Sequence, residues 1–241
     1  NNTQAYFLLG KNNVKLGLYF EAMDPLLKAL QKDQTHSDSW NQLGVAYTKL
    51  KKLNESYDAY KQAIKHKPGF AEAYNNLGAV TTLMGRLAEA NGYFKEAIRI
   101  EPEFADAHYN LALSYSALGR PQSAVDEFKE SIRINPKNPD VYYNLGWALH
   151  ELKRYPEAVN PFNQAIRLSP NNPEMHYSLG LTLSELKKYQ DAILSLKEAI
   201  RLNPSHAGAY AKLNMIYDQI KSRENGQKDI AIAPAPSVSK K

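Results

Sequence analysis

Leucine recurs along this chain at Leu9, Leu43, Leu77, Leu111, Leu145, Leu179 and Leu213, each thirty-four residues after the last. A small residue follows in six of the seven places (Gly10, Gly44, Gly78, Ala112, Gly146 and Gly180), with Asn214 as the exception. Later in each period come Ala22, Ser56, Ala90, Ala124, Ala158 and Ala192, then Leu26, Tyr60, Phe94, Phe128, Phe162 and Leu196. Ala29, Ala63, Ala97, Ser131, Ala165 and Ala199 follow, and Pro68, Pro102, Pro136, Pro170 and Pro204 close the units. A fixed period of this length is the mark of a repeat architecture.

Within a period the apolar positions have helical spacing. Trp40, Leu43, Gly44 and Tyr47 stand at i, i+3, i+4 and i+7, which predicts one helix. After a short linker containing Gly85 or Gly119, a second stripe such as Ala90, Phe94, Ala97 and Ile98 predicts another. Each unit is therefore expected to be an antiparallel helix pair, with small residues where the axes approach and a closing proline that cannot continue the helix. Pro25 and Pro161 share one phase inside the second helix, where each should remove a backbone hydrogen bond and bend the helix. The first unit departs furthest from the pattern, with Gln34 in place of the closing proline and Asn13 at an aromatic position.

These residues resemble the tetratricopeptide repeat (TPR) over nearly the whole chain. Six units begin near Thr3, Ser37, Ala71, Ala105, Pro139 and Pro173. A lone capping helix is expected over 207–222, giving a solenoid over 1–223 and an extended or disordered tail over 224–241. The resemblance implies an all-α fold, a right-handed superhelical solenoid of antiparallel helix pairs, whose first helices line a concave groove.

Once leucine and glycine are fixed inward, the outward slots of a first helix are the second, fifth, sixth, ninth, twelfth and thirteenth. The sixth carries Gln42, Asn76, Asn110, Asn144 and Ser178, a row of mostly amide side chains that can clamp an extended peptide backbone by donating and accepting at once. It resembles the asparagine ladder of the O-linked N-acetylglucosamine transferase. The fifth carries Asn41, Asn75, Tyr109, Tyr143 and Tyr177, and a ninth slot carries Trp147. Amphipathic rings in a groove serve as binding anchors. The expected partner-binding set is Gln42, Asn75, Asn76, Tyr109, Asn110, Tyr143, Asn144, Trp147, Tyr177 and Ser178.

The second slot holds Asp38, Glu72, Asp106, Asp140 and Glu174 in the first helical turn, where the macrodipole stabilises a carboxylate. The same row would make one groove edge negative and favour a partner segment with Lys or Arg near apolar residues. No three consecutive units carry Lys or Arg at the second, fifth and sixth slots, which argues against the carboxylate clamp of TPR cochaperones.

Composition narrows the classes further. The absence of cysteine removes disulfides, thiolate nucleophiles and Cys-based metal sites, and leans toward a bacterial periplasm over a eukaryotic cytosol. The net charge of +5 comes from interspersed residues rather than a basic block, so no nucleic-acid partner is expected. No apolar run approaches the length of a membrane span, and Asn1 in place of an initiator Met points to a trimmed or processed chain. The histidines form no His-Glu-x-x-His pair, and no phosphate loop or nucleophile elbow is present, so neither catalysis nor a cofactor or metal is expected.

The sequence thus predicts a protein-interaction adaptor that holds a protein or peptide segment in a concave groove. The alternatives are a regulatory region of a larger enzyme, such as a glycosyltransferase, and a homo-oligomeric scaffold associating through the tail or an exposed repeat end. Ile230, Ile232 and the following Ala-Pro stretch are the tail residues expected to occupy a groove if ordered.

Overall fold

The computed structural model describes residues 2–232, with side chains through Ser222, and every regular element among them is an α-helix. They fall into two compact units, divided between Lys137 and Asn138. The first holds α1 (Asn2–Lys15), α2 (Tyr19–Lys32), α3 (Ser37–Lys49), α4 (Leu53–His66), α5 (Ala71–Leu83), α6 (Leu87–Ile100), α7 (Ala105–Ala117) and α8 (Pro121–Ile134). The second holds α9 (Pro139–Glu151), α10 (Tyr155–Leu168), α11 (Pro173–Glu185), α12 (Tyr189–Leu202) and α13 (Ala207–Ile232). Within the first unit α1, α3, α5 and α7 each pair with the helix that follows, and α2, α4 and α6 pack on the next first helix; within the second, α9 and α11 pair with α10 and α12, which pack on α11 and α13. This is the expected solenoid of helix pairs.

The small residue after each leucine makes the pair possible. A Cβ built on Gly78 would lie 2.5 Å from the Phe94 ring, and one on Gly44 would lie 2.6 Å from that of Tyr60. Leu43, Leu77 and Leu111 are almost fully buried, and Leu43 joins Leu26, Ala29 and Leu30 of the preceding pair in one apolar cluster. Leu9, at the same phase, is 53% exposed because no described helix pair precedes it.

Turns between paired helices need one left-handed residue. Gly17, Gly85 and Gly119 supply it at φ of 77°, 78° and 68°, whereas Lys51, Lys153 and Lys187 are held near 60° in the other pairs. Asn138 and Asn172 cap α9 and α11, each side-chain oxygen accepting from a backbone N–H two residues on at 3.0 Å, with proline at the first helical position.

In the first unit Asn13 serves the backbone carbonyl that Pro25 leaves without its helical donor. Pro25 cannot donate to the carbonyl of Glu21, four residues back, and Asn13 Nδ2 donates to that oxygen at 3.1 Å instead. A phenylalanine in place of Asn13, with no N–H or O–H on its side chain, could not do so. The capping helix is longer than the sequence pattern suggests: α13 continues to Ile232, through a stretch without proline that ends two residues before Pro234. The remainder of the expected tail, 233–241, lies outside the described residues, as do the side chains of Ile230 and Ile232.

Candidate functional site

In the first unit, α3, α5 and α7 link their amides into hydrogen bonds that cross from pair to pair. Asn76 Nδ2 donates to Asn41 Oδ1 at 3.1 Å, and Asn110 Nδ2 donates to Asn75 Oδ1 at 2.9 Å. Asn41 in turn donates to Glu72 Oε1 at 3.0 Å. The sixth-slot amide of one pair therefore reaches back to the fifth-slot amide of the pair before it.

Asn41 and Asn75 are buried, which corrects the expectation that the fifth slot faces outward: the next first helix closes over it. Ser178 is likewise buried in the second unit, where it donates to the Glu174 carbonyl at 2.7 Å. Asn144 turns back on its own helix, donating to the Asp140 carbonyl at 2.8 Å. Gln42, Asn76 and Asn110 are half-buried, and the last two keep an amide oxygen with no partner among the described residues.

The expected aromatic anchors are half-buried, and Tyr109, Tyr143 and Trp147 pack on second helices. Tyr109 has its ring centroid 6.0 Å from that of Phe128. In the second unit Tyr143 lies 6.0 Å from Phe162 and 6.5 Å from Trp147, and Trp147 meets Phe162 edge-on at 6.1 Å. Tyr177 lies 4.5 Å from His206. Such contacts fix the rings and leave part of each exposed.

The first-helix face of the first unit also holds a pocket of about 240 Å³ that the sequence reading did not single out. Ala79, Thr82 and Leu83 of α5 form one wall, Asn110, Leu113, Ser114 and Ala117 of α7 the other, and Leu87 and Phe94 of α6 the floor. Leu83 is 61% exposed and Leu113 is exposed beside it. Leu83 is a thirteenth slot and Leu113 a ninth, so helical geometry placed both outward. What would have singled them out is the unusual leucine at 83, where other first helices carry Lys49, Glu151 and Glu185. Lys49 and Lys51 flank Leu83 on its other side, in a hollow shared with Leu53, and neither makes an ion pair among the described residues.

Charge on this unit is organised further by His108. Its Nδ1 lies 2.6 Å from Glu127 Oε2 and its Nε2 3.1 Å from the Pro102 carbonyl, so both ring nitrogens face acceptors and the imidazolium satisfies both. The Glu127 hydrogen bond raises its pKa above the ordinary histidine value, against the opposing pull of burial. A raised pKa means that the folded state binds the proton more tightly than the unfolded state. The stabilisation is complete below the unfolded value of about 6.5 and is lost as pH rises through the folded one. Glu127→Gln is accordingly expected to bring the His108 titration, followed by NMR, back toward that value, and to flatten the decline of stability above neutral pH. A wild-type His108 titrating at or below the ordinary value would refute this. His150, in the second unit, shifts the other way because burial disfavours its charge, and its Nδ1 lies 3.0 Å from Thr182 Oγ1.

Among the described residues no group of three His, Asp or Glu side chains could hold a metal ion, and no helix is long and apolar enough to cross a membrane. Models of the tetratricopeptide repeat match residues 37–70 and 173–206, and residues 84–139 and 111–173. Among solved structures the chain is similar to YrrB, described as a TPR protein with an unusual peptide-binding site, at 21% identity and a TM-score of 0.69, over 77% of this chain and 96% of that one. It is similar to PilF of Pseudomonas aeruginosa at 21% identity and a TM-score of 0.77, over 90% and 97% of the two chains. MamA aligns at 21% identity and a TM-score of 0.65, over 71% and 93%. No curated protein matches the sequence. At these identities the structural likeness speaks to the fold.

Proposed function

Because the chain belongs to the tetratricopeptide repeat family, we propose that it is a non-catalytic interaction scaffold holding an extended segment of a partner protein in the groove of its first helices. One observation carries the reading: a small apolar pocket opens beside amides whose oxygens are unspent. Leu83, Leu87, Phe94 and Leu113 can take one apolar side chain of the segment, and the free oxygens of Asn76 and Asn110 can accept from its backbone N–H groups.

The amide ladder supports this indirectly. Each amide is oriented by its bond to the neighbouring pair, so little side-chain entropy is lost when it meets a ligand. Asp38, Glu72 and Asp106 stand in the first turns of α3, α5 and α7, and Lys49 and Lys51 near the opposite end of α3. A segment with basic residues toward the helix N-termini and acidic ones toward Lys49 and Lys51 complements both edges. In the second unit, the half-buried rings of Tyr143, Trp147 and Tyr177 are aromatic surface that a partner can use by itself. The likeness to YrrB, itself described as peptide-binding, agrees with the proposal without naming a ligand.

Selection from a displayed library of random peptides tests the reading. Selected sequences are expected to share one apolar anchor and to lose about tenfold or more in affinity on Leu83→Asp or Leu113→Asp, since a buried apolar anchor is worth about 1.5 to 3 kcal/mol. Both side chains are solvent-exposed, so helicity should be kept. Selected peptides that bind both variants as tightly as the wild type would move the site off this face.

A further inference from the structure

The second helices carry a repeating cation that the first pair lacks. At one phase they hold Lys61, Lys95, Lys129 and Lys197, whereas the first has Leu27 and the fifth Asn163. Lys95 shows what the lysine does: its Nζ lies 5.7 Å from the ring centroid of Tyr115, on the first helix of the next pair. Tyr47 is the counterpart of Tyr115, and Leu27 stands where that lysine would approach it.

The consequence is an open groove between α2 and α4. Leu27, Leu30, Trp40, Leu43 and Tyr47 form its apolar surface, in two adjoining hollows of about 440 and 380 Å³. Glu55 and Asp58 of α4 line it from the far side. Neither carboxylate has an ion-pair or hydrogen-bond partner among the described residues. By contrast Glu89, at the phase of Glu55, accepts from Tyr57 at 3.1 Å and Tyr93 at 2.9 Å and pairs with Arg86, and Asp126, at the phase of Asp58, accepts from Gln122 at 3.1 Å. Two nearby cations do not fill the gap. Lys28 is held by Asp24 at 2.7 Å, and Lys52 lies 5.9 Å from the Tyr47 ring without pairing with Glu55. In the second unit, where Asn163 replaces the lysine, the corresponding groove is again open, lined by Asn163, Leu179, Leu183 and Asp191.

We infer that the α2–α4 groove is a second protein-binding site, for a partner segment that places a lysine or arginine beside an apolar side chain. The apolar group lies on Leu27 and Trp40. The cation lies between Glu55 and Asp58 at the Tyr47 end of the groove, where the two unpaired carboxylates attract it. This site lies between two second helices, over the inward side of α3, and does not depend on the reading of the first-helix pocket at Leu83.

The protein has two tryptophans, so its indole N–H signals report on the two faces separately: Trp40 on this groove and Trp147 on a first helix of the second unit. The probes are a short capped peptide of leucine and lysine and a twin carrying glutamate for each lysine, with Trp147→Phe assigning the two signals in a ¹H–¹⁵N titration. The lysine peptide is expected to shift Trp40 saturably while the twin does not. Leu27→Lys, which installs the residue found in four other pairs and so preserves the fold, should weaken that binding about tenfold or more, as should Glu55→Gln combined with Asp58→Asn. No shift of Trp40, a response to Trp147 alone, equal responses to both peptides, or undiminished binding by Leu27→Lys would each overturn the assignment.

Discussion

Truncating Phe94 to alanine is expected to cost about 3 to 5 kcal/mol, a large part of the stability of a domain this size. The ring is 2% exposed, lies against Gly78, and shares a cluster with Ala90 and Leu111 on which Ile98 and Tyr115 pack. It joins the two helices of its own pair to the first helix of the next. Repeat pairs contact mainly their neighbours, so the damage should be local. Denaturant unfolding followed by circular dichroism should show the loss, and amide exchange should accelerate first in α5, α6 and α7. The same ring floors the proposed peptide pocket, so binding should fall with it. A destabilisation below about 1 kcal/mol would mean that the site collapses freely and that the ring is not the keystone its burial suggests.

The phase of the repeat made the helices, their pairing and most of the core legible before any coordinates, because burial here follows from a few positions held in register. Less legible was everything set by contact between pairs. The fifth-slot asparagines looked free on a helical wheel, yet Asn41 and Asn75 are buried because the adjacent first helix closes over them. Asn13 looked like a defect until it was seen to serve the carbonyl that Pro25 orphans. Leu9 matched the leucine row, yet no described pair precedes it to cover it. Lys51, Lys153 and Lys187 gave no hint of their left-handed backbone, since that turn is fixed by the two helices it joins. The apolar pocket at Leu83 was within reach of the sequence, for its slot faces outward and most other first helices carry Lys or Glu there.

Gly78→Val is expected to cost about 3 kcal/mol or more, despite the better helix propensity of valine. The Cβ alone would sit 2.5 Å from Phe94 Cε1, with further ring carbons at 2.7 and 2.9 Å, and the ring is too deeply buried to swing away. The valine methyls add volume at the closest point between α5 and α6. The chain holds its own control, since the fourth pair has Ala112 at this phase with Phe128 opposite, and both are fully buried. A Cβ is therefore tolerated where the two helices are set for it, so the cost at Gly78 belongs to the spacing of α5 and α6 and not to the helix as such. Ala112→Gly should accordingly lose only about 1 kcal/mol, the ordinary penalty of glycine in a helix. If the clash with Phe94 is the cause, Gly78→Val combined with Phe94→Ala must be distinctly less damaging than the sum of the two, because the valine occupies the cavity that the missing ring leaves. Strictly additive unfolding free energies in that cycle would show that the two side chains do not compete for the same space.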